Sequence, residues 1–90
     1  MKRVFKYPLE VDTQRIIMPR GAKLLTVQTQ GSAPMLWALV DDNAPMEDRA
    51  IIIVGTGWEV PEVQNLEYVG TFQVSGGLFV FHVFDQGSLK

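Results

Sequence analysis

Val4 to Leu9 sets Val4, Lys6 and Pro8 against Phe5, Tyr7 and Leu9, a two-residue period that predicts a strand. Pro8 has no amide to give to a ladder, so this strand belongs at a sheet edge or breaks there. Arg15-Ile16-Ile17-Met18 is a short β-branched run, stopped by the turn signal Pro19-Arg20-Gly21. Ala22 to Gln30 places Leu25, Val27 and Thr29 on one face and Leu24, Thr26, Gln28 and Gln30 on the other, a half-buried strand. Gly31-Ser32-Ala33-Pro34 then turns the chain into Met35 to Asp41, completing a long hairpin.

Two runs, Met35 to Val40 and Ile51 to Val54, are apolar on both faces. In an antiparallel chain such runs mark strands covered on both sides, or strands buried by a partner subunit. Trp37, in the middle of the first run, is expected in the core, with an anchor at a homo-oligomeric interface as the alternative. Between the runs, Asp41 to Asp48 reads as a polar loop with room for one short helical turn, and Gly57 to Asn65 as a second loop.

Leu66 to Ser75 and Leu78 to Asp85 form the strongest hairpin in the chain. A two-residue turn at Gly76-Gly77 sets Val74 against Phe79, Phe72 against Phe81 and Gly70 against Val83. One face then collects Phe72, Val74, Phe79, Phe81 and Val83, an expected core face, while His82 stands opposite Thr71 on the mixed face. A three-residue turn would instead mix polar with aromatic partners. The whole pattern describes one all-β domain over residues 1–90, a small antiparallel sandwich or barrel of six to seven strands with at most one helical turn. Only residues 86–90 look loose enough to fray.

Composition narrows the chemistry. The chain has no cysteine and one histidine, which excludes disulfides, thiolate catalysis and multi-histidine metal sites, so no metal or cofactor is expected. A net charge of −2 lacks the cationic surplus that a nucleic-acid binder needs. No apolar segment approaches the roughly 20 residues of a membrane helix, and none follows the charged N-terminus as a signal would, so a cytoplasmic address is expected.

Several residues invite a functional reading beside a plainer one. Gly55-Thr56-Gly57-Trp58 could bring backbone amides to an anion and stack Trp58 on a base; it could equally be a bend with a tryptophan packed over it. Arg20, Lys23 and Arg49 would meet phosphate if the fold gathered them near that segment, and otherwise are dispersed surface charge. His82 could donate a hydrogen bond to a ligand, or simply be satisfied on a sheet face. General-base work would require a nucleophile and an orienting carboxylate, and no motif announces them. Asp41, Asp42, Asn43, Glu47 and Asp48 lack the spacing of a calcium loop. Glu59, Glu62 and Glu67 lie close in sequence, but glycosidic chemistry depends on their separation in space. No enzymatic activity is expected.

The segments Tyr7-Pro8-Leu9, Met18-Pro19-Arg20-Gly21-Ala22, Leu36-Trp37-Ala38-Leu39-Val40-Asp41, Gly55-Thr56-Gly57, Tyr68-Val69-Gly70-Thr71-Phe72-Gln73 and Phe81-His82-Val83-Phe84 resemble a family of small all-β proteins encoded by bacteriophages and prophages. No catalytic residues attach to that family, so the resemblance carries none over. It implies the cytoplasm of an infected bacterium and, by analogy of origin and size, a counter-defence role in immune evasion. The expectation is a non-catalytic, homo-oligomeric binding protein that sequesters a nucleotide-derived signal at Gly55, Thr56, Gly57, Trp58, Arg49, Arg20, Lys23 and His82, or binds a host defence protein. The alternative is a phage protein–protein module, a host-enzyme inhibitor or minor structural component, with no small-molecule site.

Overall fold

The computed structural model describes residues 1–88. Seven strands follow one another: β1 (Lys2–Pro8), β2 (Gln14–Pro19), β3 (Lys23–Gln30), β4 (Ala33–Asp41), β5 (Met46–Gly55), β6 (Glu67–Val74) and β7 (Phe79–Ser88). They form two antiparallel sheets, β1-β4-β3 and β2-β5-β7-β6. β1 is an edge strand, as its terminal proline requires. On one side of the sandwich β3 and β6 lie against each other without sharing a ladder, and a β-carbon on Gly70 would stand 3.1 Å from Cβ of Val27.

The core lies between the sheets. Leu36, Ala38 and Val40 of β4 point in from one side; Met18, Ile51, Ile53, Phe72, Phe81 and Val83 point in from the other. The rings of Phe72 and Phe81 stack at 5.5 Å. The inward set alternates along β4, β5 and β7, so burial of one face is what selects their register.

The β6–β7 hairpin has the expected register, with Val74 opposite Phe79, Phe72 opposite Phe81, Thr71 opposite His82 and Gly70 opposite Val83. Its turn is the expected two-residue one: Gly76 and Gly77 both have positive φ, and the Leu78 amide closes the turn on the Ser75 carbonyl at 3.3 Å, while the Asp41 to Asp48 loop contains no helical turn. That loop is shorter than expected because β5 already begins at Met46.

Four expectations change. Phe79 is exposed although it shares a strand face with Phe81, because β5 stops at Gly55, opposite Phe81, and Phe79 overhangs the sheet. A bulge between Leu24 and Thr26 breaks the alternation of β3, leaving Leu25 exposed while Leu24 and Val27 both meet the core. Trp37 is half-buried on the outer face of its sheet, between Lys6 and Thr26, not in the core. Residues 86–88, expected to fray, continue β7 and pair with β5 through Gly87–Ala50 and Ser88–Arg49; residues 89 and 90 lie outside the described residues.

The two-faced apolar run of β5 has a local cause. β5 is an interior strand, so Ile52 and Val54, on its outer face, are covered by cross-strand neighbours that include Phe84 and His82 and remain only 5% exposed.

Candidate binding site at one end of the sandwich

β5 leaves the sheet at Gly55, and the next three residues make a tight turn. The amide of Trp58 donates to the carbonyl of Gly55 at 3.0 Å, and Gly57, at φ +89°, occupies the position where a type II turn requires positive φ. The turn folds the indole back over Gly55, and its ring meets Phe81 edge-on at 6.0 Å. The plainer expectation for this segment, a bend with a tryptophan over it, is the arrangement found.

Beside this turn lies the β6–β7 turn, where Ser75, Gly76 and Gly77 all have positive φ and the amide of Leu78 donates to the carbonyl of Ser75. The two turns enclose a hollow of about 240 Å³ lined by Gly55, Thr56, Trp58, Leu78, Phe79, Val80 and Phe81. Around it three large apolar side chains stand in the open: Leu78 is 74% exposed, Trp58 59% and Phe79 53%.

The amides do not form an anion nest. Thr56 N–H donates to the carbonyl of Val80 at 3.1 Å and Trp58 N–H to Gly55, which leaves one of the three amides from 56 to 58 without a backbone partner. The basic side chains are elsewhere. Arg49 lies six residues back along β5, roughly 20 Å from Gly55 at strand spacing. There it is buried in a two-point ion pair with Asp85, Nε to Oδ1 at 3.0 Å and an amino nitrogen to Oδ2 at 2.8 Å. Arg20 follows β2 at that same far end, its amide on the carbonyl of Pro45 and its Nε 3.3 Å from Glu47. Lys23 is exposed at the start of β3, opposite Leu39. The expected cluster of Arg20, Lys23 and Arg49 around Gly55 to Trp58 is therefore not assembled within one chain, because the hairpin turns put those positions at the other end of the strands.

His82 is brought to Thr56. Its Nε2 is 2.7 Å from the Thr56 hydroxyl and its Nδ1 3.0 Å from that of Thr71, which in turn is 2.6 Å from the Tyr68 hydroxyl. A neutral imidazole has one N–H and one lone pair, so it donates to one threonine and accepts from the other. This chain of polar groups ties the Gly55–Trp58 turn to the outer face of β6 and β7. The hydroxyl partner that a general base needs is within reach, but both ring nitrogens face hydroxyls rather than a carboxylate.

Of the residues expected to act together, Gly55, Thr56 and Trp58 line the hollow, and His82 reaches it only through its bond to the Thr56 hydroxyl, standing opposite Thr71 as the register predicts. Leu78, Phe79, Val80 and Phe81 line it as well, which strand alternation does not signal because it assigns Phe79 to the core. Tyr68 was missed because a bulge between Tyr68 and Gly70 shifts its register.

The polar loop at the opposite end is occupied internally. Asp41 accepts from the Asn43 amide and the amino terminus, and Asp42 pairs with Arg3 and the amino terminus. These bonds hold both carboxyl groups below the usual carboxylate range and the amino terminus above its ordinary value.

No curated protein and no solved structure matches the chain. A family model does, along nearly its whole length: spanning residues 1–89, the match places the chain in DUF7352, a family defined as a domain of unknown function.

Proposed function

We propose that this protein is a non-catalytic binding module that docks onto a protein partner through the end of the sandwich that carries Trp58, Leu78 and Phe79. One observation carries the reading: three large apolar side chains, each more than half exposed, surround a single hollow. Clustered apolar exposure of this kind marks interaction surfaces, and a tryptophan beside a pocket is a frequent anchor. In the phage setting that the sequence resemblance implies, the partner is a host protein in the bacterial cytoplasm, and blocking a defence component is the corresponding role.

The nucleotide-signal alternative needs cations at the hollow. Within one chain Arg20, Lys23 and Arg49 are remote from it, and Arg49 is already neutralised by Asp85. A second subunit would have to supply the charge, so this alternative stands or falls with self-association.

Site-specific photo-crosslinking in a bacterial host tests the docking surface. A photoreactive amino acid replaces Leu78 in one variant and Val4, exposed on β1 of the other sheet, in the control. The expected result is a discrete adduct from position 78 that the control does not give. Equal labelling from both positions, or none from position 78, overturns the reading. Native mass spectra of the same preparation report subunit number and any retained nucleotide.

A further inference from the structure

The apolar end is also strongly one-sided in charge. Between Arg49 and Lys90 the sequence contains no lysine or arginine, so the strands and turns that build the hollow bring no permanent cation to it. Acidic residues leave the hollow along the chain: Glu59 follows Trp58 directly, and with Val60, Pro61 and Glu62 it lines a second depression on the connection to β6. Glu59 and Glu62 are exposed, and neither has an ion-pair partner among the described residues. The β1–β2 loop arrives there too, because the Thr13 hydroxyl accepts from the Ile53 amide at 3.1 Å, two residues short of Gly55. That contact brings exposed Asp12 and Glu10 toward the same end. The cations nearest this end are carried by other strands: Lys6, on the other sheet, keeps its charge in a hydrogen bond to the Gln30 side-chain carbonyl at 2.7 Å, and exposed Arg15 lies on β2 opposite Ala50, five residues short of Gly55.

An apolar anchor site with an acidic border selects its partner by both features. A hydrophobic side chain fills the hollow, and cations beside it lower their energy next to Glu59 and Glu62, while an acidic partner is repelled. We propose that this surface recognises a basic polypeptide segment in which an aromatic or large aliphatic residue is flanked by lysine or arginine. The proposal rests on the docking surface above and adds the chemical class of its occupant. A second copy pairing through this same end fits it poorly, since both surfaces would carry the acidic border.

Selection of a displayed library of random dodecapeptides on the intact protein tests this directly. The expected outcome is enrichment of peptides with an aromatic or aliphatic residue beside lysine or arginine. Their affinity should fall at least tenfold in Leu78→Ser and about tenfold in Glu59→Lys/Glu62→Lys, the second loss shrinking as salt is raised. All three positions are exposed, so both variants should melt with the wild type. Binders that need Leu78 but show no basic enrichment, or that tolerate the charge reversal, overturn the partner class and leave the docking surface standing. If no enriched peptide depends on Leu78, the docking surface falls as well. A concentration-dependent dimer that Leu78→Ser abolishes overturns the basic segment in favour of a second copy.

Discussion

The indole of Trp58 lies so close over Gly55 that a β-carbon there would stand 2.7 Å from its Cε2. The glycine is needed for this approach alone, since its backbone is not in the left-handed region. Gly55→Ala should therefore push the indole off the strand end and cost about 1–3 kcal/mol. In a Trp58→Ala background the same substitution should cost almost nothing, because the obstructing ring has gone. Urea unfolding of the two single variants and the double variant measures this non-additivity.

Gly70 faces a different kind of neighbour. A β-carbon at this position would meet Cβ of Val27 at 3.1 Å and the Val27 amide nitrogen at 3.2 Å, where β6 lies against β3. Backbone cannot rotate away as an indole can. Gly70→Ala should destabilise by about 1–3 kcal/mol, and Val27→Ala should fail to rescue it, since Cβ and the amide remain. Thermal melts of the single and double variants distinguish the two glycines.

The Arg49–Asp85 pair is buried at the end of the sandwich remote from Trp58, and Asp85 also accepts from the Gly87 amide at 2.8 Å. Removing one partner leaves an uncompensated charge, so Arg49→Ala and Asp85→Ala should each cost about 3–5 kcal/mol. Replacing both, as Arg49→Met with Asp85→Leu, should cost much less than either single change. Denaturant midpoints compared at constant slope give the answer.

The clamp between the amino terminus and the β4–β5 turn predicts the pH dependence. The Asn43 amide and the amino terminus lower the carboxyl of Asp41, and Arg3 and the amino terminus lower that of Asp42. Their contribution is present above about pH 4 and is lost as pH falls through the lowered values. The amino terminus is raised by Asp41 and Asp42, so its share is present below about pH 8 and is lost as pH climbs through the raised value. Asp42→Asn should lower the melting temperature slightly between these limits, and the difference should vanish in strong acid. High salt should reduce it, because every group in the clamp is near the surface.

Tyr7 packs against the core with its hydroxyl buried and without a partner among the described residues, and burial pushes its ionisation up. Tyr7→Phe should leave stability unchanged or raise it by up to about 1 kcal/mol, since an unsatisfied polar group is removed at constant shape. A melt at neutral pH is sufficient.

How much of this was legible in the sequence varied with the range of the interaction. Pro8 placed β1 at an edge because a missing amide is a local fact. Gly76-Gly77 set the β6–β7 register because a tight turn leaves few ways to pair its flanks, and so His82 could be placed opposite Thr71 in advance. Phe79 was misassigned because alternation says which face a residue takes, not whether another strand reaches that far. Leu25 was misassigned because a bulge inserts a residue without a signature in the pattern.

By itself, then, the sequence determined an all-β chain, its hairpins and most of its inward-facing residues, since period and turn chemistry act over a few positions. Tertiary structure alone decided the rest. It set Arg49 against Asp85, 36 residues apart, and so withdrew a cation from the site where it had been expected. It also joined two turns distant in sequence into one apolar hollow, and packing Trp58 onto Gly55 is what shaped its wall. Such juxtapositions follow from the order of strands in a sheet, and that order is settled by which apolar faces bury one another.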